Sequence, residues 1–333
     1  MRRLLHRGLG GLAPLVLIVP ATAFSPSSSP SSASATRLSS SSSAMAAEAP
    51  GGVAGPGQLG QPSAPVIAAA GDIASRGPRD SATARVVHTM NPRFVLALGD
   101  LVYPDGSRRN YRRYYIPTWG RFKARTRPTP GNHDLRSGTG RPPYYFRYFA
   151  NQLPNVHRGR YYAFNTGRWR LYSLNCEISC GPRSHQVRWL RRDLATAGRG
   201  RHKLAYLHRP RYSCGKRGSS RRPNALWNRL LAARTDLVLA GHSHNYQRYP
   251  RMNATNKITR RGILSFVVGT GGVRPFPVTG RERKQGCAKV RHVEGHRAGV
   301  LELQLGADRF RWAFVAGDHE VLDTGARPTL RQR

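Results

Sequence analysis

The chain has 333 residues, of which 39% are hydrophobic, so it can bury a sizeable core and a wholly disordered protein is excluded. Its 55 lysines and arginines outnumber 16 aspartates and glutamates, which gives a net charge of +39. Such a charge attracts nucleic acid, anionic membrane surfaces, wall polymers and phosphorylated substrates, but it does not define a fold.

The N-terminus has the pattern of an export signal. A basic start is followed by an apolar stretch from Gly8 to Phe24, and Ala21-Thr22-Ala23 fits a small-residue cleavage site. We therefore predict a signal peptide over residues 1–23. Two prolines interrupt the stretch and it is short for a membrane span, which disfavours the alternative of an anchor. The adjacent Arg2 and Arg3 leave a twin-arginine signal open.

Residues 24–63 consist mostly of Ser, Pro, Ala and Gly, with almost no large apolar side chain. Such a segment cannot bury enough surface to offset the entropy of ordering, so a disordered linker is predicted. A globular domain is predicted over residues 64–325, followed by a basic tail at residues 326–333.

Within this domain, short apolar runs that end in glycine and polar residues alternate with segments of helical spacing, which indicates an α/β fold. The predicted elements, in chain order, are a strand Pro65–Ala70, a helix Ser81–Met90, a strand Phe94–Leu98, an extended lead Arg125–Pro130, a hairpin Tyr161–Asn175 turning at Thr166-Gly167, a helix Ser184–Ala197, a strand Lys203–Leu207, a helix Asn224–Ala233, and strands Asp236–Ala240 and Ile263–Val268.

All four cysteines lie in the predicted domain. An even number in an exported chain favours disulfides, and the three possible pairings stay open. A zinc site is the alternative, but it needs tighter paired spacing than these cysteines offer. They are Cys176, Cys180, Cys214 and Cys287.

Polar clusters follow the predicted strands at their carboxyl ends. In open α/β sheets ligands bind in the crevice beyond those ends, so we expect the clusters to converge. Their carboxylate, amide and imidazole groups suit hard or borderline metals, and so many ligands suit two metals. The clusters are Gly71-Asp72, Gly99-Asp100-Leu101-Val102-Tyr103, Gly131-Asn132-His133-Asp134, His208 and Gly241-His242-Ser243-His244.

In order and spacing, these clusters resemble the five motifs of the calcineurin-like metallophosphoesterases, and more narrowly those of small, single-domain purple acid phosphatases. The narrower resemblance rests on Tyr103, and on Ala74 at a position where the wider family commonly has histidine. The first motif lacks a second glycine that the subgroup usually has. The resemblance implies a four-layer α/β/β/α sandwich with two mixed sheets.

The resemblance also implies seven ligands around two metals. A hard phenolate suits ferric iron at the first position, while the second metal would be zinc, manganese or ferrous iron. The implied ligands are Asp72, Tyr103 and His244 for the first metal, Asp100 as a bridge, and Asn132, His208 and His242 for the second metal.

Four further residues are predicted to act on the substrate or to support that action. His133 would stabilise the phosphate or protonate the leaving oxygen, with Asp134 as its orienting hydrogen-bond partner. Arg209 and Tyr246 flank metal motifs and are candidate substrate contacts. The nucleophile implied by the resemblance is a metal-bound hydroxide.

These features predict a secreted or cell-surface phosphatase that hydrolyses phosphomonoesters, with no stable membrane partner. Nonspecific binding to polyanions is expected from the charge. A phosphodiesterase or nuclease using the same site is one alternative, and a non-catalytic polyanion-binding protein on this scaffold is another. Asn253-Ala254-Thr255 is a glycosylation sequon, which matters only where the source glycosylates.

Overall fold

A computed structural model describes residues 64–136, 143–154, 157, 160–279 and 287–332. The predicted signal peptide and linker lie outside these ranges. Within them, no helix combines the length and the apolar character that crossing a membrane requires.

Twelve strands and five α-helices are defined in the described part of the chain. The strands are β1 (Val66–Ala70), β2 (Phe94–Ala97), β3 (Tyr162–Thr166), β4 (Trp169–Ser173), β5 (His202–Leu207), β6 (Leu237–Ala240), β7 (Tyr246–Met252), β8 (Ile263–Val268), β9 (His292–Glu294), β10 (Gly299–Leu305), β11 (Arg309–Ala316) and β12 (Val321–Pro328). The helices are α1 (Arg79–Met90), α2 (Arg108–Asn110), α3 (Tyr144–Tyr148), α4 (His185–Ala195) and α5 (Asn224–Ala232).

The strands form two mixed sheets. A five-stranded sheet has the order β12-β11-β10-β1-β2, in which only β1 and β2 are parallel. A seven-stranded sheet has the order β3-β4-β5-β6-β8-β7-β9, and its strands β4, β5, β6 and β8 run parallel. In parallel neighbours the carboxyl ends lie at the same edge, which positions the loops that follow β1, β2, β5 and β6.

The two sheets pack face to face through aromatic side chains. Tyr246 of β7 stacks on Phe314 of β11 with ring centroids 4.0 Å apart, and Phe266 of β8 meets Trp312 of β11 at 5.6 Å. Helix α1 contacts β1, β10 and β11, while α4 and α5 share an apolar cluster with β5 and β6. The predicted α/β/β/α sandwich is therefore confirmed.

Most predicted elements are found within three residues of their expected ends. Ser184 is the N-cap of α4, where its hydroxyl accepts the backbone N–H of Val187. The lead at residues 125–130 is not a strand. It forms only isolated bridges, from Thr126 to Val95 of β2 and from Thr129 to Leu98 just beyond β2, and the intervening Pro128 has no N–H to donate.

Besides β7, β9 and α3, two larger regions of regular structure were not predicted. One is the meander β10–β12, which supplies three of the five strands in its sheet. The other is a helical segment that continues from α2 into a π-helix at Tyr111–Tyr115 and a 3-10 helix at Trp119–Arg125. The second segment is rich in Arg and Tyr, so its pattern gives no clear apolar face.

The cysteines form two disulfides, Cys176–Cys180 and Cys214–Cys287. The disulfide prediction is thus confirmed, one of the three pairings is selected and the zinc alternative is excluded. The predicted start of the basic tail at residue 326 is wrong, because β12 continues to Pro328 and the backbone N–H of Leu330 donates to Asp236 Oδ1 at 2.6 Å.

Candidate metal centre

The motif residues occupy tight turns where strands end. Asp72 follows β1 and Asp100 follows β2, and both have left-handed backbones, with φ of 56° and 51°. His242, which follows β6, has φ of 69°. Non-glycine residues rarely adopt this conformation, and such strain concentrates at functional sites. Three predicted ligands therefore lie in backbone conformations that the surrounding loops must hold in place.

Glycines beside these residues allow the loops to approach closely. A Cβ on Gly131 would lie 2.2 Å from Asp100 Oδ1, and a Cβ on Gly99 would lie 2.7 Å from His208 Nδ1. Neither space could hold a methyl group without displacing a predicted ligand. The glycines that precede the polar residues are thus required by the convergence of the loops.

One group of donor atoms consists of Asp72, Tyr103 and His244. The Tyr103 hydroxyl donates to Asp72 Oδ1 at 2.7 Å, and His244 Nε2 lies 3.2 Å from both of these oxygens. Phe276 stacks on the His244 ring with centroids 4.9 Å apart. The structure therefore brings together the three predicted ligands of the first metal.

A second group is formed by Asp100, His208 and His242. His208 Nε2 lies 3.1 Å from Asp100 Oδ2 and 3.1 Å from His242 Nδ1. The His208 Nδ1 atom faces the Leu98 carbonyl oxygen at 3.0 Å, which fixes the ring. Asp100 Oδ2 also lies 3.0 Å from the Tyr103 hydroxyl, so one carboxylate oxygen is shared by both groups.

The spacing of these atoms fits bound metal ions. Oxygen and nitrogen ligands lie about 2.0–2.2 Å from such metals, so ligands at right angles are separated by about 3 Å. The separations at Asp72, Tyr103 and His244 are 2.7–3.2 Å, and those at Asp100 and His208 agree. A mixed set of oxygen and imidazole donors without thiolate also suits iron, zinc or manganese.

The charges of the cluster also favour a cation. Burial opposes ionisation of Asp72 and Asp100, but neighbouring histidines outweigh it and hold the pKa of each carboxyl below its ordinary value. Burial likewise opposes the charge of His208, yet Asp100 and Asp72 raise the pKa of His208 to about 10. Burial and His208 lower the pKa of His242 to about 3. A metal ion would replace the proton that His208 otherwise carries beside Asp100.

His133 lies at the accessible rim of the cluster. Its backbone N–H donates to Asp100 Oδ1 at 2.7 Å, and its ring Nε2 lies 4.0 Å from Asp100 Oδ2. The ring packs against Tyr103 with centroids 4.3 Å apart, and Nδ1 lies 2.6 Å from the Pro104 carbonyl oxygen. The side chain can therefore reach a group bound above the shared carboxylate.

The predicted contact between Asp134 and His133 is wrong. Asp134 is fully buried and accepts the backbone N–H groups of Leu101 and Gly131, each at 2.9 Å. Burial and the charge of Asp100 raise the pKa of Asp134 to about 8. Asp134 thus holds two motif loops together, and the Pro104 carbonyl is the group that orients the His133 ring.

The two candidate substrate contacts have different surroundings. Tyr246 is buried between the sheets and donates to Asp323 Oδ2 at 2.6 Å, so its prediction as a substrate contact is wrong. Arg209 does border the site, because its Nη2 lies 3.2 Å from Asn132 Oδ1 and its Nη1 lies 3.1 Å from His242 Nε2.

Glu177, which was not predicted as a site residue, forms a bidentate ion pair with Arg209. The distances are 2.7 Å from Nε to Oε1 and 3.1 Å from Nη2 to Oε2. Glu177 does not follow a glycine or a strand end in the manner of the other motifs. Its position between Cys176 and Cys180, in a chain with few acidic residues, is the one signal that could have found it.

This centre and its sandwich define a metallophosphoesterase. The model of the family described as calcineurin-like phosphoesterase matches residues 65–246, more than half of the chain. The chain belongs to this family, a class of metal-dependent hydrolases, and the resemblance found in its motifs is confirmed.

Curated relatives include plant purple acid phosphatases. Purple acid phosphatase 22 of Arabidopsis thaliana is 26% identical over 250 residues, which cover 66% of this chain and 55% of the plant protein. Purple acid phosphatase 21 of the same plant is 29% identical over 198 residues, which cover 53% of this chain and 43% of the plant protein. An uncharacterised protein of Mycobacterium tuberculosis is 29% identical over 234 residues, which cover 56% of this chain and 43% of the mycobacterial protein. The chain spans about half the length of the curated relatives it matches.

Solved structures with the same fold are more distant in sequence. Purple acid phosphatase PPD1 from yellow lupin seeds superposes with a TM-score of 0.62 at 18% identity, covering 80% of this chain and 54% of the lupin chain. GAP50, described as the anchor in the inner membrane complex of Plasmodium, superposes with a TM-score of 0.58 at 15% identity, covering 80% of this chain and 90% of the GAP50 chain. At these identities the similarity shows the fold alone.

Proposed function

We propose that the protein is an exported phosphatase with two metal ions, which hydrolyses phosphomonoesters. The observation that carries this proposal is the position of Asp100 Oδ2, which lies 3.0 Å from the Tyr103 hydroxyl and 3.1 Å from His208 Nε2. Two metals in a hydrolase commonly share such a carboxylate. Family membership and the similarity to purple acid phosphatases support the same reaction class.

The side chains divide the work of binding and proton transfer. The metals would supply Lewis acidity for the phosphate oxygens and lower the pKa of the attacking water. Ferric iron fits the position of Tyr103, because a phenolate is a hard ligand, and zinc, manganese or ferrous iron fits that of Asn132, His208 and His242. His133 Nε2, at the rim of the cluster, donates a proton to the leaving oxygen.

Export of the protein is supported by two independent features. The N-terminal residues have the composition of a signal peptide, and both cysteine pairs form disulfides, which persist outside the reducing cytoplasm. We therefore propose an extracellular or cell-surface location, where a phosphatase meets phosphate esters from the environment.

The test is hydrolysis of p-nitrophenyl phosphate by the full chain loaded with iron plus zinc or manganese. Asp100→Asn removes the shared charge, whereas Asp318→Asn alters an exposed aspartate that pairs with Arg297 and serves as the matched control. We expect turnover in the wild type and the control and its loss in Asp100→Asn. Equal turnover in all three proteins, or none in a well-folded wild type that contains metal, contradicts the proposal.

A phosphodiesterase or nuclease is the second candidate, favoured by an exposed basic segment. Arg108, Arg109, Arg112 and Arg113 follow shortly after Tyr103, and none of them takes part in an ion pair found among the described residues. Unpaired guanidinium groups bind phosphates along a polymer. Comparison of monoester, diester and polynucleotide substrates separates the two reactions, since a diesterase would prefer the last two.

The third candidate, a polyanion-binding protein without catalysis, makes a different prediction. Its binding would weaken with salt and would survive Asp100→Asn, because it rests on surface charge. An enzyme loses turnover in that variant and keeps any weak binding of polyanions. Measuring both properties on the same samples distinguishes the two.

A further inference from the structure

The Cys176–Cys180 loop carries the one glutamate that contacts Arg209 in the described part of the chain. Both cysteines are buried, and the Glu177 side chain is only 7% exposed. The Glu177 backbone N–H donates to Asn175 Oδ1 at 2.8 Å. Asn175 is itself held by two hydrogen bonds with Gln186 of α4, at 2.8 and 2.7 Å. The position of Glu177 is therefore fixed by the Cys176–Cys180 disulfide and, through Asn175, by helix α4.

This fixed carboxylate determines which edge of Arg209 faces the centre. Glu177 binds the edge formed by Nε and Nη2, through distances of 2.7 and 3.1 Å. The remaining edge, Nη1 and Nη2, faces His242 Nε2 at 3.1 Å and Asn132 Oδ1 at 3.2 Å. Guanidinium is planar and bidentate, so fixing one edge fixes the direction of the other.

The one N–H of the guanidinium that these contacts leave over suits a phosphate oxygen. Arginine has five N–H donors, and the contacts above engage four of them, one on Nε, one on Nη1 and two on Nη2. One Nη1 donor is left without a partner among the described residues. The side chain of Arg209 is 21% exposed, so a ligand at the centre can reach it.

We infer that Glu177 is a positioning residue that holds Arg209 toward the metal centre, where Arg209 binds an oxygen of the phosphate group. This inference rests on the proposed function for the identity of the ligand. An Arg209 without Glu177 keeps its charge but loses its fixed direction. Because the phosphate group is present in substrate and product alike, the interaction strengthens binding of both.

The test uses the full chain loaded with metal and two readouts, affinity for inorganic phosphate by calorimetry and hydrolysis of p-nitrophenyl phosphate. Glu177→Gln keeps the shape of the side chain and removes its charge. Glu320→Gln, at an exposed pair with Arg297, is the control. We expect Glu177→Gln to weaken phosphate binding and raise KM about tenfold, with kcat, metal content and Tm close to those of the wild type.

Arg209→Lys provides a second test that does not depend on folding of the Glu177 variant. Lysine keeps the positive charge but cannot present two N–H groups on one edge, so we expect a similar loss of phosphate affinity. In the double variant the losses should not add, because both substitutions break one arrangement. A purely structural role would instead lower Tm or metal content and leave phosphate affinity per metal-loaded site unchanged.

The outcomes separate this inference from the proposed function. Turnover in the wild type with unchanged phosphate affinity in both single variants overturns the role of Glu177 and leaves the phosphatase intact. Phosphate binding without turnover, weakened by Glu177→Gln, overturns the phosphatase and supports the role of Glu177. A metal-loaded wild type that neither binds phosphate nor turns over substrate overturns both.

Discussion

The backbone N–H of His242 donates to Asp72 Oδ2 at 2.7 Å, across 170 residues of sequence. This bond joins the turn after β1, in the five-stranded sheet, to the turn after β6, in the seven-stranded sheet. It leaves Asp72 Oδ1 for Tyr103 and His244. Asp100 is used in the same way, since Oδ1 accepts the backbone N–H of His133 and Oδ2 remains for ligation. One oxygen of each carboxylate fixes a loop and the other faces the metal centre.

Gly131→Ala should therefore inactivate the enzyme although it substitutes no ligand. The new Cβ would lie 2.2 Å from Asp100 Oδ1, so the shared carboxylate must move. A displacement of about 1 Å at a reacting site costs on the order of 100-fold in rate, and we expect a loss of that size or more. Gly181→Ala is the control, because a Cβ there would meet no atom within 4 Å beyond its own chain neighbours. Equal rates of p-nitrophenyl phosphate hydrolysis in the two variants would show that the loops can adjust.

Tyr103→Phe should remove visible absorption from the iron-loaded protein. A ferric ion bound to a phenolate absorbs visible light, and the substitution deletes only the hydroxyl that lies 2.7 Å from Asp72 Oδ1. Tyr114→Phe is the matched control, since the Tyr114 hydroxyl has no hydrogen bond to any described residue. Absorption spectra and iron content check the prediction. A coloured Tyr103→Phe protein would exclude Tyr103 as a ligand of ferric iron.

The stability of the metal-free protein should depend on pH through Asp236. Burial raises the pKa of Asp236 to about 6, above its ordinary value of 3.8. The folded state thus favours the protonated carboxyl. Its contribution to the free energy of unfolding is fully present below about pH 4 and is lost as the pH rises through 6. A pKa difference of about two units between the folded and unfolded states corresponds to about 3 kcal/mol in the free energy of unfolding.

Asp236→Asn cannot ionise and should lack this loss. Asp236 accepts the backbone N–H groups of Lys203 and Leu330 and the side chain of Gln332, and His202 Nδ1 lies 3.8 Å away. The charges of Arg251 and of the Lys203 side chain also act on it. Burial lowers the pKa of Lys203 to about 8, so Lys203 titrates above the pH range in which Asp236 does. Urea unfolding from about pH 4 to pH 6.5 should show the wild type losing stability relative to the variant. Parallel profiles would contradict the raised pKa.

Tyr246→Phe should reduce stability and leave catalysis unchanged. The hydroxyl donates to Asp323 Oδ2 inside the sandwich, where Arg248 and the Trp312 indole also bind the same carboxylate. Losing one buried hydrogen bond to a charged group costs about 1–3 kcal/mol. Urea unfolding and steady-state kinetics measure the two effects. A raised KM with unchanged stability would restore the original interpretation of Tyr246 as a substrate contact.

The residues of the candidate metal centre were predicted more accurately than the residues that hold its loops in place. Asp72, Asp100 and His242 were found because each directly follows an apolar strand and a glycine, which is a local pattern. The roles of Asp134 and Tyr246 were wrong because adjacency in sequence does not determine which way a side chain points. Asp134 turns toward backbone N–H groups, and Tyr246 turns into the space between the sheets.

Contacts between distant segments could not be predicted from local patterns. The pairing of Cys214 with Cys287 joins residues 73 apart, and Glu177 meets Arg209 across 32 residues. The strands β10–β12 share their sheet with β1 from the opposite end of the domain. Each of these contacts depends on which distant strands lie near one another within a sheet, which no single segment encodes.

The proposed function requires that two metal ions share Asp100 Oδ2. Its most direct test is an anomalous difference map from crystals of the full chain loaded with iron and zinc, collected on both sides of each absorption edge. We expect two peaks about 3.5–4 Å apart on either side of that oxygen, with iron at the Tyr103 side. A single peak, or two peaks that do not share Asp100, would contradict it.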